Sequence, residues 1–284
     1  MNMMTSAGKI AFQGELGAYS HQACREVFPD REALPCATFE DAIAAVRRGD
    51  AALAMLPVEN TLYGRVADIH SLLPESGLYI IGEHFVPVRI DLLGVPGAKI
   101  EEIKEAQSHT VLLGQVRKFL KDRGIKAIVG ADTAGSAMAV ANAGDKTRAA
   151  LASSFAGDIY GLETLATDIQ DAAHNTTRFL VMSPRRVEAE PSAKKTMTSF
   201  VFQVRNIPAA LYKAMGGFAT NGVNMVKLES YMLNGSFTAT QFYADIEGHP
   251  EHENVQRALD ELDYFTNYLK VLGAYPRSDF RDSR

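Results

Sequence analysis

The sequence contains little cysteine. Its two cysteines, Cys24 and Cys36, lack the spacing of metal ligands and are too few for a disulfide framework. The sequence also has no apolar run that approaches the length of a membrane span, and residues 1–9 lack the apolar segment of a signal peptide. These absences predict a cytoplasmic protein in a reducing compartment, with no membrane association.

An excess of basic residues is absent as well. The formal net charge is −5 and the sequence pI is about 5.8, which argues against a nucleic-acid-binding face. A small anionic ligand held by a local cationic pocket stays compatible with this charge. The sequence has no phosphate-binding loop, no dinucleotide fingerprint and no histidine pair at metal-ligand spacing. We therefore predict no cofactor and no metal.

Periodic apolar segments make up much of what is present. Residues 9–13 and 51–56 predict buried strands, and residues 38–49 between them predict a helix. Pro57 is expected to end the second strand. Because strands and helices continue to alternate up to residue 182, the sequence predicts an α/β fold with a largely parallel sheet. A chain of 284 residues is long enough for two domains.

The pattern changes after residue 183. Residues 183–195 contain two prolines, many charges and no apolar periodicity, which indicates a linker. Beyond it, strand and helix patterns follow in the order β-α-β-β-α-β, the ferredoxin-like arrangement. In this unit Pro208 is expected at the first helical position, and Asn234-Gly235 is expected to form a hairpin turn. The polar tail after Tyr275 is expected to fray.

Three segments follow predicted strands, where α/β sheets usually bind ligands. Residues 13–20 (QGELGAYS) form a glycine-containing loop before a helix, whose N-terminus attracts anions. Residues 57–64 (PVENTLYG) carry polar side chains that either bind a ligand or cap a helix beginning near Thr61. In residues 174–179 (HNTTRF), Arg178 suits a carboxylate and Thr177 adds a hydroxyl, although a surface ion pair would explain the arginine equally well.

Taken together and in order, these segments resemble the signature blocks of the prephenate dehydratases. The blocks are residues 12–20, residues 57–60 with Gly64, and residues 175–179. Supporting matches are Ser108-His109 with Gln115, and residues 132–135, 160–162 and 169–171. The resemblance covers roughly residues 9–182, and residues 197–275 are similar to the ACT domain that follows the catalytic domain in this family.

The resemblance implies a specific architecture. Residues 8–183 would form a catalytic domain of two α/β lobes, like periplasmic solute-binding proteins, with the chain crossing between lobes near residues 85 and 165. Residues 184–196 would be a linker and residues 197–276 a ferredoxin-like ACT regulatory domain. The family's homodimers or homotetramers are expected here. Because the first catalytic strand begins near residue 9, no chorismate mutase activity is expected.

The resemblance also implies the reaction, a carbon–oxygen lyase step that converts prephenate to phenylpyruvate in L-phenylalanine biosynthesis. Thr177 is expected to donate a hydrogen bond or proton to the leaving hydroxyl, and Arg178 to anchor a carboxylate. Glu59 is expected to be structural, because a bare carboxylate would repel a dianion. The other expected cleft residues are Asn60, Thr61, Ser20, Ser108, Gln115 and Phe179, the last packing on the substrate ring or in the core.

Regulation by L-phenylalanine is expected at interfaces between ACT domains. The expected ligand residues are Pro208, Ala209, Ala210, Leu211, Glu229 and Ser230. Two departures from the family pattern occur here, since Ala209 stands where the family has glycine and Tyr231-Met232 replaces Arg-Pro. Both bear on phenylalanine binding or its affinity rather than on catalysis.

Two alternatives stay open. Arogenate dehydratase would use the same chemistry on an amino-acid side chain. A non-catalytic binding or sensor protein would use the same two-lobed cleft without a reaction.

Overall fold

The structure, a computed structural model, describes residues 8–172, 174–193, 195–205, 207–232 and 239–282. Its strands are β1 (Ile10–Gln13), β2 (Ala33–Cys36), β3 (Leu53–Asn60), β4 (Gly64–Arg65), β5 (Tyr79–Pro87), β6 (Asp91–Gly94), β7 (Glu105–Ser108), β8 (Lys126–Val129), β9 (Arg148–Ala152), β10 (Glu163–Ala166), β11 (Thr176–Ser183), β12 (Thr196–Val204), β13 (Met225–Met232), β14 (Ala239–Glu247) and β15 (Thr266–Pro276). Its α-helices are α1 (Tyr19–Val27), α2 (Phe39–Arg48), α3 (Ala67–Leu72), α4 (Thr110–Gln115), α5 (Arg117–Arg123), α6 (Thr133–Ala143), α7 (Ser154–Tyr160), α8 (Ala210–Thr220) and α9 (Glu253–Phe265).

The first sheet has the order β2-β1-β3-β11-β5, with β4 added to β3. Strands β1, β2 and β3 are parallel, whereas β11 is antiparallel to both of its neighbours. Thr38 caps α2 by accepting from the backbone N–H of Asp41, and Gly49 ends that helix in the left-handed conformation. The apolar face of α2 packs against the first sheet and helps to form its core.

The second sheet has the order β10-β6-β9-β7-β8 and its own apolar core. The chain enters it through residues 88–90 and leaves it through residues 167–175. Strands β7, β8 and β9 are parallel, and β6 is antiparallel to both of its neighbours, β9 and β10. The prediction of a largely parallel sheet is therefore wrong for one strand in each of the two sheets, β11 in the first and β6 in the second, each of which directly borders a crossing between the sheets.

The third sheet, β13-β14-β12-β15, is antiparallel and is covered on one face by α8 and α9. Its element order is β-α-β-β-α-β, as predicted. Met197, Val201 and Tyr243 on the other face pack into the core of the first sheet. Gly273 of β15 lies against β5 so closely that a Cβ atom there would be 1.9 Å from the carbonyl oxygen of Ile80. The two sheets are thus in direct backbone contact.

Strand β3 continues through Pro57, so the prediction that this proline ends the strand is wrong. Pro57 lies beyond the part of β3 that pairs with β1, and opposite an irregularity in the β3–β11 pairing. A missing N–H is tolerated at such a position. The helix expected near Thr61 is also replaced by a tight turn into β4, because the Asn60 side chain accepts from the backbone N–H groups of Leu62 and Tyr63.

The tail after Tyr275 does not fray but folds back as a 3₁₀ turn, Asp279–Asp282. Phe280 stacks on Phe85 of β5, and Arg281 pairs with Glu83, whose side chain is fully buried. The prediction failed because polar residues in this tail have buried partners. The expected Asn234-Gly235 turn lies outside the described residues.

Helix α8 begins at Ala210, two residues later than predicted, so Pro208 precedes the N-cap rather than opening the helix. The cause is Ala209, which is the N-cap residue and has a φ of 62°. This left-handed conformation favours glycine. Within the described residues, no helix is both long enough and apolar enough to cross a membrane.

His70 generates a prediction about pH. Its imidazole is buried between α3 and the third sheet, where burial lowers its pKa from 6.5 to about 4. The unfolded chain therefore binds a proton that the folded chain rejects, so stability falls as pH drops from 6.5 towards 4, by up to about 3 kcal/mol. His70→Gln should flatten this slope in urea unfolding measured from pH 4.5 to 7.5. Parallel curves for the two proteins would contradict the assignment.

Ala209→Gly should raise the free energy of unfolding by about 1 kcal/mol, because glycine adopts the left-handed conformation without the cost that a Cβ atom carries. The matched control is Ala210→Gly, one residue later and inside α8, which should lower it by about 1 kcal/mol. Urea or thermal unfolding of both variants measures the effect. Destabilisation by both substitutions would show that Ala209 is not strained.

Candidate active site

A cavity of about 220 Å³ lies between the first and second sheets, at the ends of β1, β3 and β11. One wall comes from the β1–α1 loop and the two strands, and the other comes from the start of α6. Its lining residues are Gln13, Gly14, Glu15, Ala18, Tyr19, Ser20, Pro57, Asp132, Thr133, Ala134, Thr177 and Phe179. We call this cavity the cleft. All three segments chosen from the sequence meet here, residues 13–20 and 174–179 with several side chains and residues 57–64 through Pro57.

Thr177 is the hydroxyl residue that β11 presents to the cleft. Its neighbour across the sheet is Asn60 of β3, in direct register. The Asn60 Nδ2 group donates to Thr177 Oγ1 at 3.0 Å and to Asn175 Oδ1 at 2.6 Å. Because Thr177 Oγ1 accepts from Asn60, its own hydrogen is left to point elsewhere, and the cleft lies beside it.

The Thr177 network continues into the second sheet's lobe. Asn175 Nδ2 donates to Gln115 Oε1 at 2.7 Å, and Gln115 belongs to α4. A chain of amides therefore links α4 to the hydroxyl of Thr177 through Asn175 and Asn60. Asn175 lies in a segment chosen from the sequence, but no role was assigned to it. The signal was its place in the NTTRF block, just before the strand that carries Thr177.

Four predicted cleft residues are placed differently from one another. Ser20 lines the cleft at the start of α1. Phe179 borders it but is 1% exposed and belongs to the core beneath. Ser108 is fully buried and donates to the carbonyl oxygen of Leu151, so it does not line the cleft. Gln115 is buried as well and reaches the cleft only through Asn175.

Thr61 is also not a cleft residue. Its hydroxyl donates to the carbonyl oxygen of His174 at 2.7 Å and accepts from the backbone N–H of Thr176 at 3.0 Å. Both functions of the hydroxyl are used to join the end of β3 to the start of β11. The catalytic role of Thr61 stays a prediction, and in the structure Thr61 fixes the two strand ends that carry Asn60 and Thr177.

That Arg178 anchors a substrate carboxylate stays a prediction, and the strand geometry places this side chain away from the cleft. Successive side chains of a strand point to opposite faces, so Arg178 points away from the cleft that Thr177 faces. Its guanidinium is 1% exposed and is surrounded by Glu83, Glu59 and Asp245. Its Nη2 group also donates to the hydroxyl of Tyr275 at 2.8 Å. Its guanidinium nitrogens thus all bond to protein groups, although Arg178 also lines a second cavity of about 330 Å³ together with Glu59.

Charges in the Arg178 cluster support one another. Burial opposes ionisation of Arg178, but Asp245 beside it keeps the arginine pKa well above its ordinary value. Burial likewise would raise the pKa of Asp245, but Arg178 and the Ser199 hydroxyl hold it below its usual value. Glu59 has a lowered pKa for similar reasons, with Lys227 as a further cation. The expectation that Glu59 is structural agrees with these contacts.

Arg178 does not line the cleft, so an anion bound there would contact other donors. The N-terminus of α1 opens onto it, and its N-cap residue, Ala18, has no side chain that can accept from the first backbone N–H groups. Free N–H groups at a helix N-terminus carry partial positive charge. On the other wall, Asp132 caps α6 by accepting from the backbone N–H of Gly135. Donors that line the cleft therefore include the α1 terminus, Ser20, Thr133 and Thr177.

Three tyrosines join the two lobes around the cleft, a function that the sequence reasoning missed. Tyr160 of α7 donates to the carbonyl oxygen of Leu16 at 2.6 Å. Tyr19 donates to the carbonyl oxygen of Arg89 in the crossing segment, and burial raises the pKa of Tyr19. Tyr63 donates to the carbonyl oxygen of Val111 at 3.2 Å. Two of them, Tyr19 and Tyr160, occur in matched sequence blocks, which was the available signal.

The predicted regulatory residues fall on separate parts of the third sheet's unit. Pro208 and Ala209 are exposed, Ala210 is buried and Leu211 packs on the α8–α9 core. A cavity of about 320 Å³ beside the start of α8 includes Ala210 in its lining. Glu229 instead faces the first sheet, where it pairs with Lys227, and the carbonyl oxygen of Ser230 accepts from Arg65. The two segments therefore line no common cavity among the described residues of one chain.

Comparison with known proteins gives a consistent result. The prephenate dehydratase family model matches residues 10–187. A bifunctional N-acyl-homoserine lactone acylase/prephenate dehydratase of Komagataeibacter europaeus is 52% identical over 96% of this chain and 97% of that protein. Arogenate dehydratase/prephenate dehydratase 1, chloroplastic, of Arabidopsis thaliana is 37% identical over 94% of this chain and 72% of that protein.

A solved structure extends the match to the fold. Prephenate dehydratase from Arthrobacter aurescens, crystallised in complex with L-Phe, superposes with a TM-score of 0.86 at 29% identity, covering 95% of this chain and 90% of that one. The chain therefore belongs to the prephenate dehydratase family.

Proposed function

We propose that the chain is a carbon–oxygen lyase that converts prephenate to phenylpyruvate in L-phenylalanine biosynthesis. The observation that carries the proposal is the Thr177 hydroxyl at the cleft wall, oriented by Asn60. Membership of the family supports the same reaction. The described residues supply the donors that this reaction needs, and the proposal requires no cofactor.

In the reaction, the bond between the prephenate ring and its ring carboxylate breaks, and its electron pair enters the ring. The bond from the ring to the hydroxyl then breaks, and the hydroxyl leaves with one proton as water. The products are phenylpyruvate, CO₂ and water. Because the ring becomes aromatic, the enzyme has to position the substrate and stabilise the leaving hydroxyl rather than drive the equilibrium.

Thr177 is proposed to donate a hydrogen bond or proton to the leaving hydroxyl. A threonine hydroxyl is a weak acid, so its effect depends on being held in position. The amide chain from Gln115 through Asn175 and Asn60 fixes the Thr177 oxygen before the substrate arrives. A dipole that needs no reorganisation stabilises developing charge more than the same dipole in water.

The substrate dianion is proposed to bind at the N-terminus of α1. Backbone N–H groups there are joined by the hydroxyl of Ser20. These donors are neutral, so they hold a carboxylate without forming an ion pair. Such a site lets the ring carboxylate lose its charge as CO₂ at lower cost than an arginine would.

Thr177→Ala should lower kcat about 100-fold or more, the usual range for loss of a general acid. Thr177→Ser retains a hydroxyl that accepts from Asn60 and should stay within about tenfold of wild type. Thr164→Ala, an exposed threonine of β10, is the control and should leave kcat unchanged. If the Thr177→Ala protein kept more than about a tenth of wild-type turnover, the acid role would be excluded.

The proposed function is tested by incubating the purified chain with prephenate at neutral pH and following phenylpyruvate, with a reaction lacking enzyme as control. We expect phenylpyruvate to form rapidly. Arogenate in a parallel reaction separates the two substrates, since the Arabidopsis thaliana relative is named for both activities. Turnover of arogenate alone would change the substrate and keep the mechanism. Turnover of neither would favour a non-catalytic binding protein.

A second candidate activity follows from the Komagataeibacter europaeus relative, whose name includes N-acyl-homoserine lactone acylase. The 52% identity over nearly the whole of both chains favours a shared activity. Amide hydrolysis needs a base for water, and the cleft carries two carboxylates, Glu15 and Asp132. An N-acyl-homoserine lactone is therefore added as a further arm of the same assay, with release of homoserine lactone as the readout.

Domain organisation is part of the proposal. Residues 8–183 are assigned to the catalytic domain, with two lobes like those of periplasmic solute-binding proteins, residues 184–196 to a linker, and residues 197–276 to a ferredoxin-like ACT domain. The β-α-β-β-α-β order supports the last assignment.

The edge strand β13 exposes Val226, Leu228 and Met232, which supports a homodimer or homotetramer formed partly through this domain. A cytoplasmic location is proposed from the sequence.

L-Phenylalanine is proposed as the allosteric effector, supported by the Arthrobacter aurescens complex. Pro208, Ala209, Ala210 and Leu211 of one chain would meet Glu229 and Ser230 of a second, because one chain does not bring them together. This regulation is checked by adding phenylalanine to the prephenate assay and by calorimetry at millimolar phenylalanine. Ala209 removes the glycine of the family pattern at a strained position, so affinity is expected to be lower than for a glycine-containing member.

A further inference from the structure

Strands β3 and β11 carry two pairs of side chains, one on each face of the first sheet. Thr177 lies opposite Asn60, and Arg178 lies opposite Glu59. In the first pair, Thr177 lines the cleft and Asn60 bonds to its hydroxyl, whereas the second pair faces the third sheet. Since neighbouring residues share one peptide unit, a force that fixes Arg178 also limits where Thr177 can point.

The Arg178 cluster joins the first sheet to the third sheet. From the first sheet it contains Glu59 at 2.9 Å and Glu83 at 2.8 Å from the guanidinium. From the third sheet it contains Asp245 at 2.5 Å and the Tyr275 hydroxyl at 2.8 Å. The bonds surround a planar group, so they fix both its position and its plane.

Residues of the third sheet hold Asp245 and Tyr275 in turn. Ser199 donates to Asp245 Oδ1, and its hydroxyl is also 2.7 Å from the Tyr275 hydroxyl. Tyr243 donates to Ser199 Oγ at 3.1 Å. All four side chains are fully or almost fully buried. The third sheet therefore presents a rigid, water-free set of acceptors to Arg178.

Regular pairing between β3 and β11 cannot by itself fix the position of Thr177. The pairing between β11 and β3 is irregular between Arg178 and Phe179, where Phe179 pairs with Pro57. Pro57 has no N–H to contribute to the ladder. The 3.0 Å contact between Asn60 and Thr177 thus lies next to a weakened stretch of sheet, and the Arg178 cluster supplies the missing fixation.

We infer that Asp245 and Tyr275 are positioning residues for the cleft, acting on Thr177 through Arg178. Residues of the third sheet that never touch the substrate thereby set the geometry of the proposed acid. The inference rests on the proposed function for its kinetic readout. It also gives the third sheet's unit a direct route to the cleft, because any movement of β14 or β15 displaces the partners of Arg178.

The decisive comparison uses two tyrosines of the same strand, β15. Tyr275→Phe removes the hydroxyl that accepts from Arg178, whereas Tyr268→Phe removes a hydroxyl outside the Arg178 cluster. Both rings pack against the core of the first sheet. In the full chain, Tyr275→Phe should lower kcat about tenfold with KM within about twofold, while Tyr268→Phe should leave both nearly unchanged.

Arg178→Lys is the second variant, since lysine keeps the charge and loses the planar fork. It should lower kcat with little effect on KM. A rise in KM at unchanged kcat would show that Arg178 binds substrate and would overturn the inference. Equal kcat for wild type and a folded Tyr275→Phe protein would overturn it as well, because the cluster would then be purely structural.

Hydrogen exchange separates this inference from the proposed function. If the wild-type protein turns over prephenate, the kcat and KM values of the variants decide whether the inference holds. If it does not, the proposed function fails, and exchange of the peptide covering residues 174–183 decides instead. Faster exchange there in Tyr275→Phe than in Tyr268→Phe, at matched thermal stability, supports positioning through Arg178. Equal exchange in the two variants contradicts it.

Discussion

A guanidinium held away from water must be surrounded by acceptors, and much of this structure follows from that requirement at Arg178. Burying a cation without partners is prohibitive. Glu83 and Glu59 meet the requirement from the first sheet, and Asp245 from the third. The C-terminal tail takes part too, since Arg281 pairs with Glu83. The third sheet and the tail are therefore held on the first sheet by charge as well as by apolar packing.

Placing Arg178 on the face opposite Thr177 changes the electrostatics of the cleft. The cleft is lined by neutral donors and by two carboxylates, Glu15 and Asp132. A decarboxylation converts a charged group into a neutral gas, so a strong cation at that carboxylate would stabilise the ground state more than the transition state. Neutral donors at the α1 terminus avoid this penalty. The absence of an arginine from the lining thus fits the chemistry proposed for the site.

Sequence patterns predicted most elements, the β-α-β-β-α-β order and the segments that meet at the cleft, because these depend on local periodicity. They failed where the outcome depended on a distant partner. The family resemblance assigns Arg178 and Thr177 to one site, whereas period-two alternation directs neighbouring side chains of a strand to opposite faces. The hydroxyls of Ser108 and Thr61 bond to Leu151 and His174, which are far away in the chain, so local sequence could not predict these contacts. The prediction that the tail after Tyr275 frays failed for the same reason.

Ala209 shows how the sequence and the backbone geometry have to be considered together. From sequence it is a small change from glycine, and its cost appears only when the backbone angle is known. The strain sits at the start of α8, whose helix packs on the same sheet that carries Asp245 and Tyr275 on its other face. A ligand that relieves or increases strain at α8 would shift this sheet relative to β11. Regulation would then need no long pathway, because one sheet separates the two sites.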